Sequence, residues 1–148
     1  MTSDIAAPIV QLLPPRSYTS KQAVIEAIGQ AMVSVDAVTP AYVAGMRRKE
    51  HEANTIVTSE VALPHGTADV RGEVRRNALV VAPIPDGVEW VPGQRVRLAI
   101  GFAGTGDDAH LRLLASVARV LSDESLVSRL KTATDMPPVG TLFDRAGI

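Results

Sequence analysis

The stretch Thr55-Ile56-Val57-Thr58-Ser59-Glu60-Val61-Ala62-Leu63-Pro64-His65-Gly66-Thr67 decides how this chain is read. Thr55 to Thr58 and Val61 to Leu63 are β-branched and apolar, so they read as one strand or as two arms of a hairpin. Pro64-His65-Gly66 ends them in a turn and leaves an imidazole at its tip. His65 is therefore the first candidate for chemistry.

Before this stretch, Thr39-Pro40 pairs a capping residue with a proline in the first helical position, and predicts a helix through about Ala53. Its second half carries Arg47, Arg48 and Lys49, which complement the negative end of the helix dipole. Ahead of it, Ser20 or Thr19 caps a helix through about Val35, with Ala23, Ile25, Ala27, Ile28, Ala31 and Met32 as its apolar stripe. Ile9 to Leu13 reads as a short strand closed by Pro14-Pro15.

After the stretch, Asp69 to Asn77 is polar and reads as a surface connection. Ala78 to Ala82 reads as a buried strand stopped by Pro83 and by Pro85-Asp86-Gly87, with Val88 to Val91 as a separate edge piece. Gln94 to Ala103 alternates at first and then becomes continuously apolar, as a strand does on entering the middle of a sheet. Asp107 or Asp108 then caps a third helix over Ala109 to Leu121, with Leu114, Val117, Ala118 and Leu121 facing inward. Asp123-Glu124-Ser125 opens a fourth through about Thr132, and a short last helix is expected around Thr141 to Arg145. Helices alternating with strands predict an α/β fold of α+β sandwich type, a mixed sheet of about five strands with helices on both sides. The 148 residues are expected to form a single domain.

Composition removes several function classes. Aromatic residues are 3% of the chain and the net charge is -1, so neither base-stacking platforms nor a footprint for nucleic acid is available. There is no cysteine, which excludes thiolate catalysis and thiolate metal sites. No apolar run approaches the ~18 residues of a spanning helix, and no basic start precedes the first apolar residues. A cytoplasmic protein without membrane insertion is expected.

The histidines are His51, His65 and His110, and none sits at a spacing that makes a local zinc site. Neither a GxSxG elbow nor a phosphate- or dinucleotide-binding glycine motif occurs. Imidazole as a nucleophile remains. A neutral ring nitrogen attacks phosphorus directly, and at an ordinary pKa of about 6.5 it is largely available near neutral pH. His110 falls in the first turn of the third helix, where the dipole disfavours imidazolium and favours anions, so a neutral ring there suits a phosphoryl oxygen. On the residues alone, a histidine in a turn is more often a satisfied polar residue than a nucleophile, His110 is more often simply packed, and His51 is solvated.

Read together, Met46 to Glu50, Thr55 and Glu60-Val61-Ala62-Leu63-Pro64-His65-Gly66-Thr67 resemble the enzyme IIA component of the mannitol/fructose class of the bacterial phosphoenolpyruvate-dependent sugar phosphotransferase system. Thr39 to Val43, His110-Leu111 with Leu114, and Ser122 to Val127 with Arg129-Leu130 extend the resemblance over nearly the whole chain, closest to the mannitol branch. The resemblance implies that His65 accepts a phosphoryl group from phosphorylated HPr and passes it to the IIB domain of a separate membrane permease. It implies no metal or nucleotide cofactor, a small mixed sheet flanked by helices, and apolar docking surfaces around the histidine. It also implies that His110 helps to hold the phosphoryl group and that Lys49 stands where the family has its active-site arginine. Arg48, one position earlier, points about 100° away on a helix, and Thr58 replaces a glycine often found before the strand. The alternatives are a fructose-type or nitrogen-type regulatory IIA, and a non-catalytic interaction module that keeps the fold.

Overall fold

The computed structural model describes residues 6–135, so the helix expected around Thr141 to Arg145 lies outside the described residues. The chain forms β1 (Ile9–Leu12), α1 (Lys21–Ser34), α2 (Pro40–Glu52), β2 (Ile56–Thr58), β3 (Val61–Ala62), a 3-10 helix (Ala68–Glu73), β4 (Ala78–Val91), β5 (Gln94–Ala103), α3 (Asp107–Leu121) and α4 (Glu124–Lys131). The five strands make one sheet in the order β1-β4-β5-β3-β2. β1 runs parallel to β4 and β3 parallel to β5, while the β4/β5 and β2/β3 pairs are antiparallel. The mixed sheet expected from the sequence is present.

Helix starts follow from capping chemistry, with two departures. Ser20 Oγ accepts from the Ala23 N–H at 3.2 Å, and Asp123 caps α4 through the Ser125 and Leu126 N–H groups. Thr39 takes the N-cap position of α2 with Pro40 first in the helix, as expected, but its side chain caps no N–H; its hydroxyl donates to Glu73 Oε2 at 2.5 Å and ties the start of that helix to the 3-10 segment. α3 starts after Gly106 at φ 155°, a backbone state open to glycine, so Asp107 and Asp108 lie in its first turn and are not its cap.

The expected break at Pro83 is absent, because β4 continues to Val91. β1 pairs with β4 only as far as Val81. Beyond it that edge of β4 is unpaired, so a proline there removes no ladder bond. A bulge between Pro83 and Val88 takes up the irregularity. Arg95 donates to the carbonyls of Asp86 and Gly87 at 3.0 and 2.8 Å, and Arg97 to that of Pro85 at 2.6 Å.

Strand alternation sorts the sheet's two faces by side-chain size. Leu79, Val81, Leu98, Ile100 and Phe102 face α3 and α4, where they pack with Leu113, Val117, Val120 and Leu130. Ala78, Val80, Ala82, Ala99 and Ala103 face α1 and α2, against Val24, Ile25, Ile28, Met32, Tyr42 and Val43. The buried face of α3 is thus turned one position from the expected one: His110, Leu113, Val117 and Val120 are buried, while Leu114 and Leu121 are half-buried and Ala118 is exposed.

The small face lets α1 lie close on the sheet. A Cβ at Gly101 would stand 2.2 Å from Ile28 Cγ2. Gly101→Ala is expected to destabilise the fold by about 1–3 kcal/mol through overpacking; urea denaturation checks this, and an unchanged midpoint contradicts the close approach of α1.

Candidate active site

β3 and β5 are parallel neighbours, so the turn after β3 and the start of α3 after β5 meet at the same end of the sheet. Outside the carboxyl ends of parallel strands is where α/β sheets place their ligands. Three hydrogen bonds seat the Pro-His-Gly turn there. The Phe102 N–H donates to the Pro64 carbonyl at 3.1 Å. The Tyr42 hydroxyl donates to the Phe102 carbonyl and accepts from the Gly66 N–H, both at 2.9 Å. Gly66 is required by this arrangement, since a Cβ there would lie 2.7 Å from the Tyr42 ring. Burial holds the Tyr42 hydroxyl protonated, with its pKa pushed up to about 12.

His65 Nδ1 lies 2.7 Å from the Leu63 carbonyl oxygen. A carbonyl only accepts, so Nδ1 carries the proton and the lone pair is on Nε2. Phe102 supports the ring with centroids 4.9 Å apart, and supports His110 in the same way at 5.0 Å. The two imidazoles meet edge to face at 5.3 Å. His110 is buried, and the end of β5 comes up directly under its turn, for a Cβ at Gly104 would stand 2.5 Å from the His110 backbone nitrogen.

Both rings are kept neutral. His65 is held below the usual imidazole range by burial, against the Leu63 bond that raises it, with the charges of Lys49 and Arg71 lowering it further. His110 is lowered to about 4 by burial, then by Arg71, His65 and Lys49, against Asp107. The ordinary pKa expected for His65 is thus replaced by a depressed one, which leaves more of the ring unprotonated at neutral pH.

Lys49 comes to the site from the last turn of α2, half-buried, with its charge acting on both rings. Glu50, next to it, is structural. Its buried carboxylate accepts from the Thr55 N–H at 3.0 Å, the Thr55 hydroxyl at 2.6 Å and Trp90 Nε1 at 3.1 Å, which fixes the end of α2 to the following strand. Arg48 is spoken for elsewhere, donating to Thr67 and Asp69 at 3.3 and 3.1 Å. His51 is exposed and outside the site. Thr58 is exposed too; the hairpin turns on Ser59 and Glu60, with Glu60 at φ 65° held by Arg97 and Lys131.

Three side chains of the site escape a reading of the sequence. Arg71 lies in the segment expected to be a plain surface connection, where it ion-pairs with Asp107. Phe102 and Tyr42 read only as core residues. A buried tyrosine needs a partner for its hydroxyl, the one signal available for Tyr42. Around the site, Leu111 is 62% and Val57 51% exposed, and Val57, Leu63, Leu114, Ala118 and Leu121 line a shallow groove.

Residues 10–143 match the family described as "Phosphoenolpyruvate-dependent sugar phosphotransferase system, EIIA 2". The chain belongs to this family. It is 38% identical over 141 residues to a multiphosphoryl transfer protein of Xanthomonas campestris, covering 94% of this chain and 17% of that protein. It is 35% identical over 130 residues to the mannitol-specific phosphotransferase enzyme IIA component of Staphylococcus aureus, covering 88% of this chain and 89% of that one. The fold is similar to the mannitol enzyme IIA of Escherichia coli, solved in complex with phosphorylated mannitol enzyme IIB, with a TM-score of 0.81, 26% identity and 95% and 97% of the two chains covered. Among the described residues, no helix is long and apolar enough to cross a membrane.

Two outcomes are expected from this enzyme IIA site. Tyr42→Phe leaves the Gly66 N–H and the Phe102 carbonyl without their partner and is expected to cost about 1–3 kcal/mol of stability, read by denaturant unfolding. An unchanged stability contradicts the Tyr42 anchor. In NMR titrations His110 is expected near pH 4 and His65 below its ordinary value. The unfolded chain takes up these protons from about pH 6.5 downward, before the folded one does. The stability that neutral histidines contribute is therefore complete above that pH and falls as pH drops toward 4. His110→Asn is expected to flatten this acid limb.

Proposed function

We propose that this chain is a phosphocarrier of the sugar phosphotransferase system, with His65 as the phosphoryl-accepting nucleophile, His110 as its stabilising neighbour and Lys49 as a cation in the family arginine's place. The observation that carries this reading is the His65 Nδ1 to Leu63 carbonyl contact of 2.7 Å, which fixes the tautomer with Nε2 free.

In the proposed step, Nε2 attacks the phosphorus of a phosphohistidine on HPr in line. The Nε2–P bond forms as the donor's N–P bond breaks, and that electron pair returns to the donor imidazole. His65 keeps its Nδ1 proton against Leu63 throughout. Positioning and hydrogen-bond donors around the equatorial oxygens lower the barrier. The second transfer, to a nucleophile of the IIB domain of a mannitol-type permease, repeats this geometry with His65 as the leaving group. The exposed Leu111 beside His110 and the groove beneath Leu114 support docking of a protein partner. The name of the Staphylococcus relative and the Escherichia coli complex support mannitol IIB as acceptor. The resemblance to the mannitol/fructose class keeps the IIB domain of a fructose-type permease as the second reading of the acceptor.

Incubation with phosphoenolpyruvate, enzyme I and HPr is expected to give one acid-labile phosphoryl group per chain, absent in His65→Ala. A wild type that gains none, or a variant that gains as much, sinks the reading. His110→Ala is expected to slow delivery to IIB by about tenfold or more; delivery at an unchanged rate removes His110 from the mechanism. Presenting mannitol-type and fructose-type IIB domains side by side decides the acceptor.

A further inference from the structure

Arg71 stands in the 3-10 helix just after the Pro-His-Gly turn, and its Nη1 is paired with Asp107 at the start of α3. The pair thus bridges the two segments that carry the imidazoles. The guanidinium is largely shielded, with the side chain 25% exposed, whereas Asp107 is 83% exposed and its charge is screened by water. Arg71 Nε is buried with no hydrogen-bond partner among the described residues. With Nη1 occupied by Asp107, the other edge of the guanidinium, Nε with Nη2, is the flat two-donor fork that fits two oxygens of a phosphoryl group.

Lys49 does not offer this. Its ammonium makes no hydrogen bond or ion pair among the described residues, and an ammonium is a point charge that attracts an anion without fixing its rotation. The charge of Arg71 reaches both His65 and His110, in keeping with its place between the two segments that carry them.

We propose that Arg71, set in place by Asp107, grips and orients the phosphoryl group on His65 through its Nε and Nη2 donors, and so supplies the bidentate hold that Lys49 lacks. This rests on the phosphocarrier reading. Asp107 is a positioning residue on this account, since it acts through Arg71. The buried Nε–H gains its missing acceptor when the phosphoryl group arrives, so the hold is tightest in the phosphorylated chain.

The test uses the full chain with enzyme I, HPr and phosphoenolpyruvate, and reads kcat and KM for phospho-HPr together with the 31P shift and lifetime of the phosphohistidine. Arg71→Met is expected to lower kcat about 100-fold with little change in KM, to shorten the phosphohistidine lifetime and to shift its 31P resonance. Arg71→Lys, which keeps the charge, is expected to remain about tenfold below wild type. Asp107→Asn is expected to lower kcat less than Arg71→Met, with KM unchanged. Added methylguanidinium is expected to restore part of the activity of Arg71→Ala, which a merely structural role does not allow. If Arg71→Met fails to fold, Arg71→Lys carries the test. Folded Arg71→Lys with wild-type kcat, lifetime and 31P shift overturns the proposal. A wild type that accepts no phosphoryl group overturns the phosphocarrier reading itself, which is a different result.

Discussion

The site depends on one hydroxyl group. Tyr42 reaches from α2 across the end of the sheet to join the Phe102 carbonyl to the Gly66 N–H, so three segments distant in sequence are held by a single buried atom. A water molecule would satisfy the same backbone groups without fixing them to a helix. The phenol also fills the space above Gly66 that any side chain would need. Its position therefore sets where the Pro-His-Gly turn ends and where the His65 ring begins.

The sheet's alternation explains why the same place is aromatic beneath and charged above. Phe102 belongs to the large-residue face of β5, and as the last large residue of that strand it lies at the open end, in contact with both imidazoles. A flat apolar support excludes water from one side of each ring and lowers the pKa of both. The cations Lys49 and Arg71 come from elements on either side of the Pro-His-Gly turn in sequence. Burial and positive charge act in the same direction on the histidines: both disfavour imidazolium, and both favour an incoming dianion.

Much of this was legible in the chain. Strands and helices announced themselves through period and punctuation, and Pro64-His65-Gly66 marked the turn without help from any other residue. β4 runs on through Pro83, where the sequence predicts a stop, because a proline is costly only where a neighbouring strand needs its N–H, and strand order is not written locally. The one-position rotation of α3 arises likewise from long-range packing, since Leu113 and Leu114 are chemically the same and only the sheet beneath selects between them. Arg71 was hidden for a different reason. Its segment is polar in composition, and nothing in a run of arginines and glutamates says which one turns inward until Asp107 and the histidines are brought to it.

Lysine in the place of an arginine would, taken alone, weaken the case for phosphoryl chemistry. The surroundings of Lys49 argue the other way. Glu50 is engaged with Thr55, Trp90 and Lys21 and offsets the charge of Lys49 at His65 only as the smallest of the influences on that ring, while Arg48 is drawn off toward Thr67 and Asp69. The lysine is thus delivered to the site with its charge only partly offset by its own helix. A site that needs attraction and orientation can divide them between two residues: an unpaired ammonium draws the dianion in, and a guanidinium already anchored along one edge fixes how it sits. The carboxylate that anchors it faces water, so the pair stays net attractive toward an anion even though its formal charges cancel.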